Sequence, residues 1–97
     1  MKLQATLIDS KDKIILSGLT AELHEYRPDH IMGTCMLTPN EELILRTEIK
    51  HRLPSRLLFE DNRFADIVIS RVGEHAIRRS SSVMTFYIPG GIIDPAR

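Results

Sequence analysis

The sequence predicts an all-β fold, a small antiparallel barrel or sandwich of about six or seven short strands. Three observations carry this. Apolar residues recur with a period of two along most of the chain, turn residues interrupt them at short intervals, and neither an internal repeat nor a linker divides residues 1–97. One β domain is therefore expected.

Leu3, Ala5 and Leu7 alternate with Lys2, Gln4 and Thr6, the pattern of a half-buried strand. Asp9-Ser10-Lys11-Asp12 supplies turn chemistry, because Asp and Ser side chains bond to nearby backbone groups. Ile14-Ile15-Leu16 resumes the apolar run, and Leu19, Ala21 and Leu23 alternate with Thr20, Glu22 and His24. Gly18 between them marks a bulge or bend in one long strand. These first two segments are expected to pair.

Arg27-Pro28-Asp29-His30 breaks the pattern, since proline has no N–H to give a ladder. Residues 31–38 read as a strand with Ile31, Gly33, Cys35 and Leu37 on one side, which makes Cys35 a small core residue. Pro39-Asn40 closes it as a turn. Residues 40–53 fit two patterns. Asn40 can cap a short helix near 40–47, with Glu41 and Glu42 in its first turn. The alternation Leu45-Thr47-Ile49-His51-Leu53 and the strand-rich surroundings favour extended structure instead.

Leu57-Leu58-Phe59 and Ala65-Asp66-Ile67-Val68-Ile69 flank Glu60-Asp61-Asn62, which predicts a hairpin with a three-residue loop. That loop pairs Phe59 with Arg63, Leu58 with Phe64, Leu57 with Ala65, and Arg56 with Asp66. Leu57, Phe59, Ala65, Ile67 and Ile69 then share one face, and Arg56–Asp66 becomes a cross-strand ion pair. A two-residue loop would split the same apolar set between faces. Val72-Gly73-Glu74-His75 ends this strand, and 76–82 reads as a polar, basic loop. Residues 83–88 form the last strand, with Met84, Phe86 and Ile88 opposite Val83, Thr85 and Tyr87. Pro89-Gly90-Gly91 breaks it before a short tail. The expected core includes Leu57, Phe59, Ile67, Ile69, Met84 and Phe86.

The composition bounds function. Hydrophobic residues are 42% and charged residues 27%, values that exclude collagen-like, low-complexity and disordered classes. Lys plus Arg equals Asp plus Glu, so the chain lacks the basic field of a non-specific nucleic-acid or membrane-surface binder. With Phe59 and Phe86 assigned to the core, only Tyr26, Phe64 and Tyr87 remain for base stacking, which also argues against RNA. No apolar run reaches the roughly 20 residues of a membrane span. The start of the chain has no signal-peptide pattern, and the one cysteine cannot form an internal bridge. A cytoplasmic protein is expected.

No catalytic or metal constellation is legible. His24, His30, His51 and His75 show no ligand spacing. Ser80-Ser81-Ser82 lacks a nucleophile elbow, and no phosphate-binding fingerprint occurs. The reading is a non-enzyme with no cofactor and no metal. An enzyme using His51 or His75 with nearby carboxylates is the third and weakest alternative. Two basic runs stand out. Arg46, Lys50, Arg52 and Arg56 face Glu48 alone, and Arg71, Arg78 and Arg79 face Glu74. Arg71, Arg78, Arg79 and Ser80 together predict an anion site for a phosphorylated small molecule or nucleotide. A small β-barrel with an arginine-rich loop resembles PilZ domains, which bind cyclic di-GMP, in architecture alone. No arginine precedes Arg27 and no Asp/Asn-x-Ser-x-x-Gly run occurs, so no residue role is carried over.

Leu58, Phe64 and Val68 make the second face of the hairpin apolar as well. A sheet apolar on both faces is covered on both, by its own strands or by another chain. The first expectation is therefore a domain that works by protein contact, with itself in a homo-oligomer or with another protein. The phosphate-binding module is the alternative.

Overall fold

The structure, a computed structural model, describes residues 1–27, 30–49, 55–74 and 82–94. Six strands close into one antiparallel barrel: β1 (Lys2–Asp9), β2 (Ile14–Arg27), β3 (His30–Leu37), β4 (Ser55–Phe59), β5 (Phe64–Glu74) and β6 (Ser82–Ile88). Around the barrel the order is β1-β2-β3-β6-β5-β4, with β4 returning to pair with β1. Closure decides between the two expected architectures in favour of the barrel, and it leaves no sheet edge running the full height.

Two hairpins share one loop design. In β1–β2 the loop is Ser10-Lys11-Asp12, and in β4–β5 it is Glu60-Asp61-Asn62. Each ends on a left-handed residue, Asp12 at φ 61° and Asn62 at φ 70°. Each is closed by the same bonds: Asp9 N–H to Lys13 O (3.0 Å) and Asp12 N–H to Asp9 O (3.1 Å), then Phe59 N–H to Arg63 O (2.9 Å) and Asn62 N–H to Phe59 O (3.0 Å). Asp and Asn tolerate this conformation because their short polar side chains bond locally. The β4–β5 register is the expected one, Leu58 with Phe64, Leu57 with Ala65, Arg56 with Asp66.

Gly18 sits where β2 carries an extra residue. Ala5 pairs with Leu19 and Leu7 with Leu16, so three steps on β2 span two on β1, and Gly18 takes φ 68° at the bulge. Inward positions then alternate as expected. Leu7, Ala21, Cys35, Leu57, Ala65, Met84 and Phe86 are fully buried, and Ile69 is partly buried at the rim of the core. Gly33 is required on β3 for space: a Cβ there would lie 2.7 Å from Phe86 Cε2 and collide with the ring tip, Cζ.

One segment differs from the expectation. Residues 39–49 are not extended but form a helix, α1 (Pro39–Ile49). The cause is local. Thr38 and Glu41 make a reciprocal capping box, Glu41 N–H to Thr38 Oγ1 at 3.2 Å and Thr38 N–H to Glu41 Oε1 at 2.9 Å. Pro39 occupies the first helical position, where a missing N–H costs nothing. Leu45 is buried with the barrel core. Two tethers hold α1: Ser82 Oγ donates to Glu42 Oε2 at 2.5 Å, and Arg46 donates to Val72 O at 3.1 Å. Residues 50–53 lie outside the described residues.

The tail after the last strand is paired as well. Beyond Pro89 the chain rejoins β5, with Phe64 N–H to Ile93 O at 3.0 Å and Ile93 N–H to Phe64 O at 2.7 Å.

Candidate functional site

Among the described residues the buried interior is apolar but for Asp9 and Ser82. Cys35 is fully buried, and burial raises its thiol to about 12, far from the thiolate a nucleophile needs. Among the described residues no three His, Cys, Asp or Glu side chains gather where they could hold a metal ion, and no helix is long and apolar enough to cross a membrane. His24 and His30 are both exposed, with His30 against the Tyr26 ring at 5.8 Å between centroids. His51 and His75 lie outside the described residues.

An open depression of about 500 Å³ lies between the β1–β2 turn and the outer side of β4 and β5, lined in part by Asp9, Asp12, Arg56 and Asp66. Asp9, Asp66 and Arg56 in this lining are already engaged. The Asp9 carboxylate accepts Lys11 N–H at 2.8 Å and Lys13 N–H at 2.9 Å, and the Lys13 bond leads in holding its carboxyl below the usual range. Arg56 Nε bonds Asp66 Oδ1 at 2.8 Å, which raises the guanidinium above its usual value, and the same guanidinium lies 4.4 Å over the Phe64 ring. The lining cation is thus committed beside three carboxylates, a poor receptor for phosphate.

Of the expected anion site, Arg71 is exposed on β5, while Arg78, Arg79 and Ser80 lie outside the described residues. Arg46 of the other basic run is paired with Glu42 at 2.8 Å. Of the expected interface, Leu58 and Phe64 face each other across β4–β5 and Val68 stands apart beyond Asp66. Phe64 is half-buried, covered by Arg56 on its ring and bridged by Ile93 through its backbone. Leu58 remains 40% exposed and Val68 42%.

The register joins Val68 to residues that the hairpin alone does not reveal. Val68 pairs with Tyr87, and Tyr87 with Met32. Outward positions on β3 are Met32, Thr34 and Met36, and those on β6 are Val83, Thr85 and Tyr87, in direct cross-strand pairs. These six side chains carry no formal charge. Met36 is 43% exposed and Tyr87 39%, the others half-buried. The strip has one acidic and one basic margin: Glu22 on β2 pairs with Thr34, and Arg71 on β5 pairs with Thr85. Among the described residues neither Glu22 nor Arg71 forms an ion pair within 4 Å, although Lys2 on β1 is the cross-strand partner of Glu22.

Comparison with family models, with curated proteins and with solved structures finds no match for this chain.

Proposed function

We propose that this chain is a non-catalytic, cytoplasmic interaction domain that docks protein through the outer face of β3 and β6. The observation that carries the reading is the uncharged strip Met32-Thr34-Met36 beside Val83-Thr85-Tyr87, continued by Val68 on β5. An interface core is depleted of charge and enriched in Met and aromatic side chains, and the strip is uncharged, with two Met, a Val and a Tyr about a central Thr34–Thr85 pair. The one cysteine, Cys35, is buried with a raised thiol, which favours contact over thiol catalysis. A cytoplasmic setting suits a chain whose single cysteine is a free, buried thiol.

A photo-crosslinking side chain placed at Tyr87, and separately at Thr6 on the β1 side, tests the reading in the cells that make the protein. Adducts are expected from position 87 and not from position 6, and Thr85→Lys should abolish them. No adduct at 87, or equal adducts at both positions, overturns it.

A further inference from the structure

We infer that the outer face of the β2–β3 hairpin holds a soft monovalent metal ion, of the copper(I) and silver(I) class, between His24, His30 and Met32. The inference goes beyond the docking role proposed above and does not depend on it. It is carried by the register. His24 on β2 is the direct cross-strand partner of Met32, and His30 precedes Met32 by two residues on β3. Leu23 and Ile31 are buried, so His24, His30 and Met32 alternate to the outside of the barrel. Both histidines are exposed there and Met32 is half-buried. Direct partners stand about 5 Å apart, alternate residues of one strand about 7 Å, and diagonal neighbours about 7–8 Å. Two imidazoles and a thioether set on such a triangle can converge on one point above the sheet.

A second observation orients His30. Its ring lies against Tyr26, at 5.8 Å between centroids and tilted by 52°. Tyr26 follows His24 by two residues on β2, so the His30 ring leans across to the strand that carries His24. An aromatic face beside the two imidazoles also suits a cation.

The donor set decides the kind of ion. Among the described residues no three His, Cys, Asp or Glu side chains gather in one place, so a divalent ion finds two imidazoles here and no third ligand of its preferred kind. Glu22, the next outward residue on β2, has Lys2 as its cross-strand partner, and Arg27 stands opposite His30. The nearby guanidinium penalises a divalent guest more than a monovalent one. Thioether sulfur beside imidazole is the combination that suits copper(I). Because the third ligand is a methionine and the set crosses from β2 to β3, histidine spacing alone does not show it.

The four methionines, Met1, Met32, Met36 and Met84, give separate methyl signals for an NMR titration of the methyl-labelled chain with silver(I) nitrate in chloride-free buffer. The Met32 methyl and the His24 and His30 ring signals are expected to shift and to saturate at equimolar metal, while Met1 and Met36 stay in place. Zinc(II) at the same concentration should leave the Met32 methyl unmoved. Met32→Leu and His24→Asn should each weaken silver(I) binding by about tenfold or more, with melts near wild type because both positions face outward. Met36→Leu removes another exposed thioether of the same strand and should bind as wild type. A shift of Met84 without Met32 would place the silver on Cys35, its buried cross-strand partner, and overturn the site. Equal shifts of Met1, Met32 and Met36, or binding that survives Met32→Leu combined with His24→Asn, would overturn it as well.

Discussion

Two outward faces of the same barrel treat exposed apolar surface in opposite ways. On the β4–β5 hairpin, Phe64 lies under the Arg56 guanidinium, Arg56 is held by Asp66, and the tail bridges Phe64 through Ile93. The apolar ring there is settled by the chain itself. On β3–β6, among the described residues, no cation lies over the Tyr87 ring, and Glu22 and Arg71 on the adjoining strands form no ion pair. The lesson is that an apolar outward residue says little by itself. What matters is whether a neighbouring charge and a stretch of backbone already cover it.

The inner sides of both faces share one core, so core substitutions should damage both alike. Phe86→Ala is expected to cost about 3–5 kcal/mol, the range for removing a buried aromatic. Chemical denaturation measures it, and a loss under 1 kcal/mol would mean the β3–β6 wall does not enclose a packed ring. Gly33→Ala attacks the same ring from the facing strand. The added Cβ meets Phe86 and Leu23 with little room to yield, for about 1–3 kcal/mol of overpacking. Denaturation of Gly33→Ala in the Phe86→Leu background should show a smaller penalty, since the ring is then absent.

On the hairpin face the effects shrink. Asp66→Asn removes an ion pair whose side chains are 40% and 64% exposed, so solvent screening limits the loss to under about 1 kcal/mol. The smallest effect concerns α1. Ser82 and then Arg46 hold the Glu42 carboxyl below its usual value. A depressed folded-state value means that the unfolded chain binds the proton more readily. The stabilisation is present above the ordinary glutamate value of 4.5 and is lost as pH falls through the lower folded one. Glu42→Gln should therefore flatten the fall in Tm on acidification below about pH 5, and an unchanged slope would show that the Ser82 contact contributes nothing.

How much of this was legible in the sequence follows from the range of each interaction. The β4–β5 register is local: a three-residue loop ending in Asn62 and the parity of Leu57, Phe59, Ala65 and Ile67 determine it together. The bulge at Gly18 is equally local. The helix was legible too, but in Thr38-Pro39-Asn40-Glu41, a capping box with proline at the first helical position, rather than in the ambiguous spacing of Leu45, Thr47 and Ile49. The strip was half legible. Each strand shows its uncharged outward set, but nothing local says that residue 32 lies beside residue 87 or residue 34 beside residue 85. Barrel order is a long-range property, and the site depends on it.

The most direct test sets one face against the other. Thr85→Lys places a charge at the centre of the β3–β6 strip, and Leu58→Lys places the same charge on the hairpin face, both at outward positions. With the photo-crosslinking side chain at position 87, Thr85→Lys should abolish adducts while Leu58→Lys leaves them intact, with both chains melting near the wild-type Tm. Loss of adducts in Leu58→Lys with Thr85→Lys unaffected would contradict the assignment of docking to β3–β6 and return it to the hairpin.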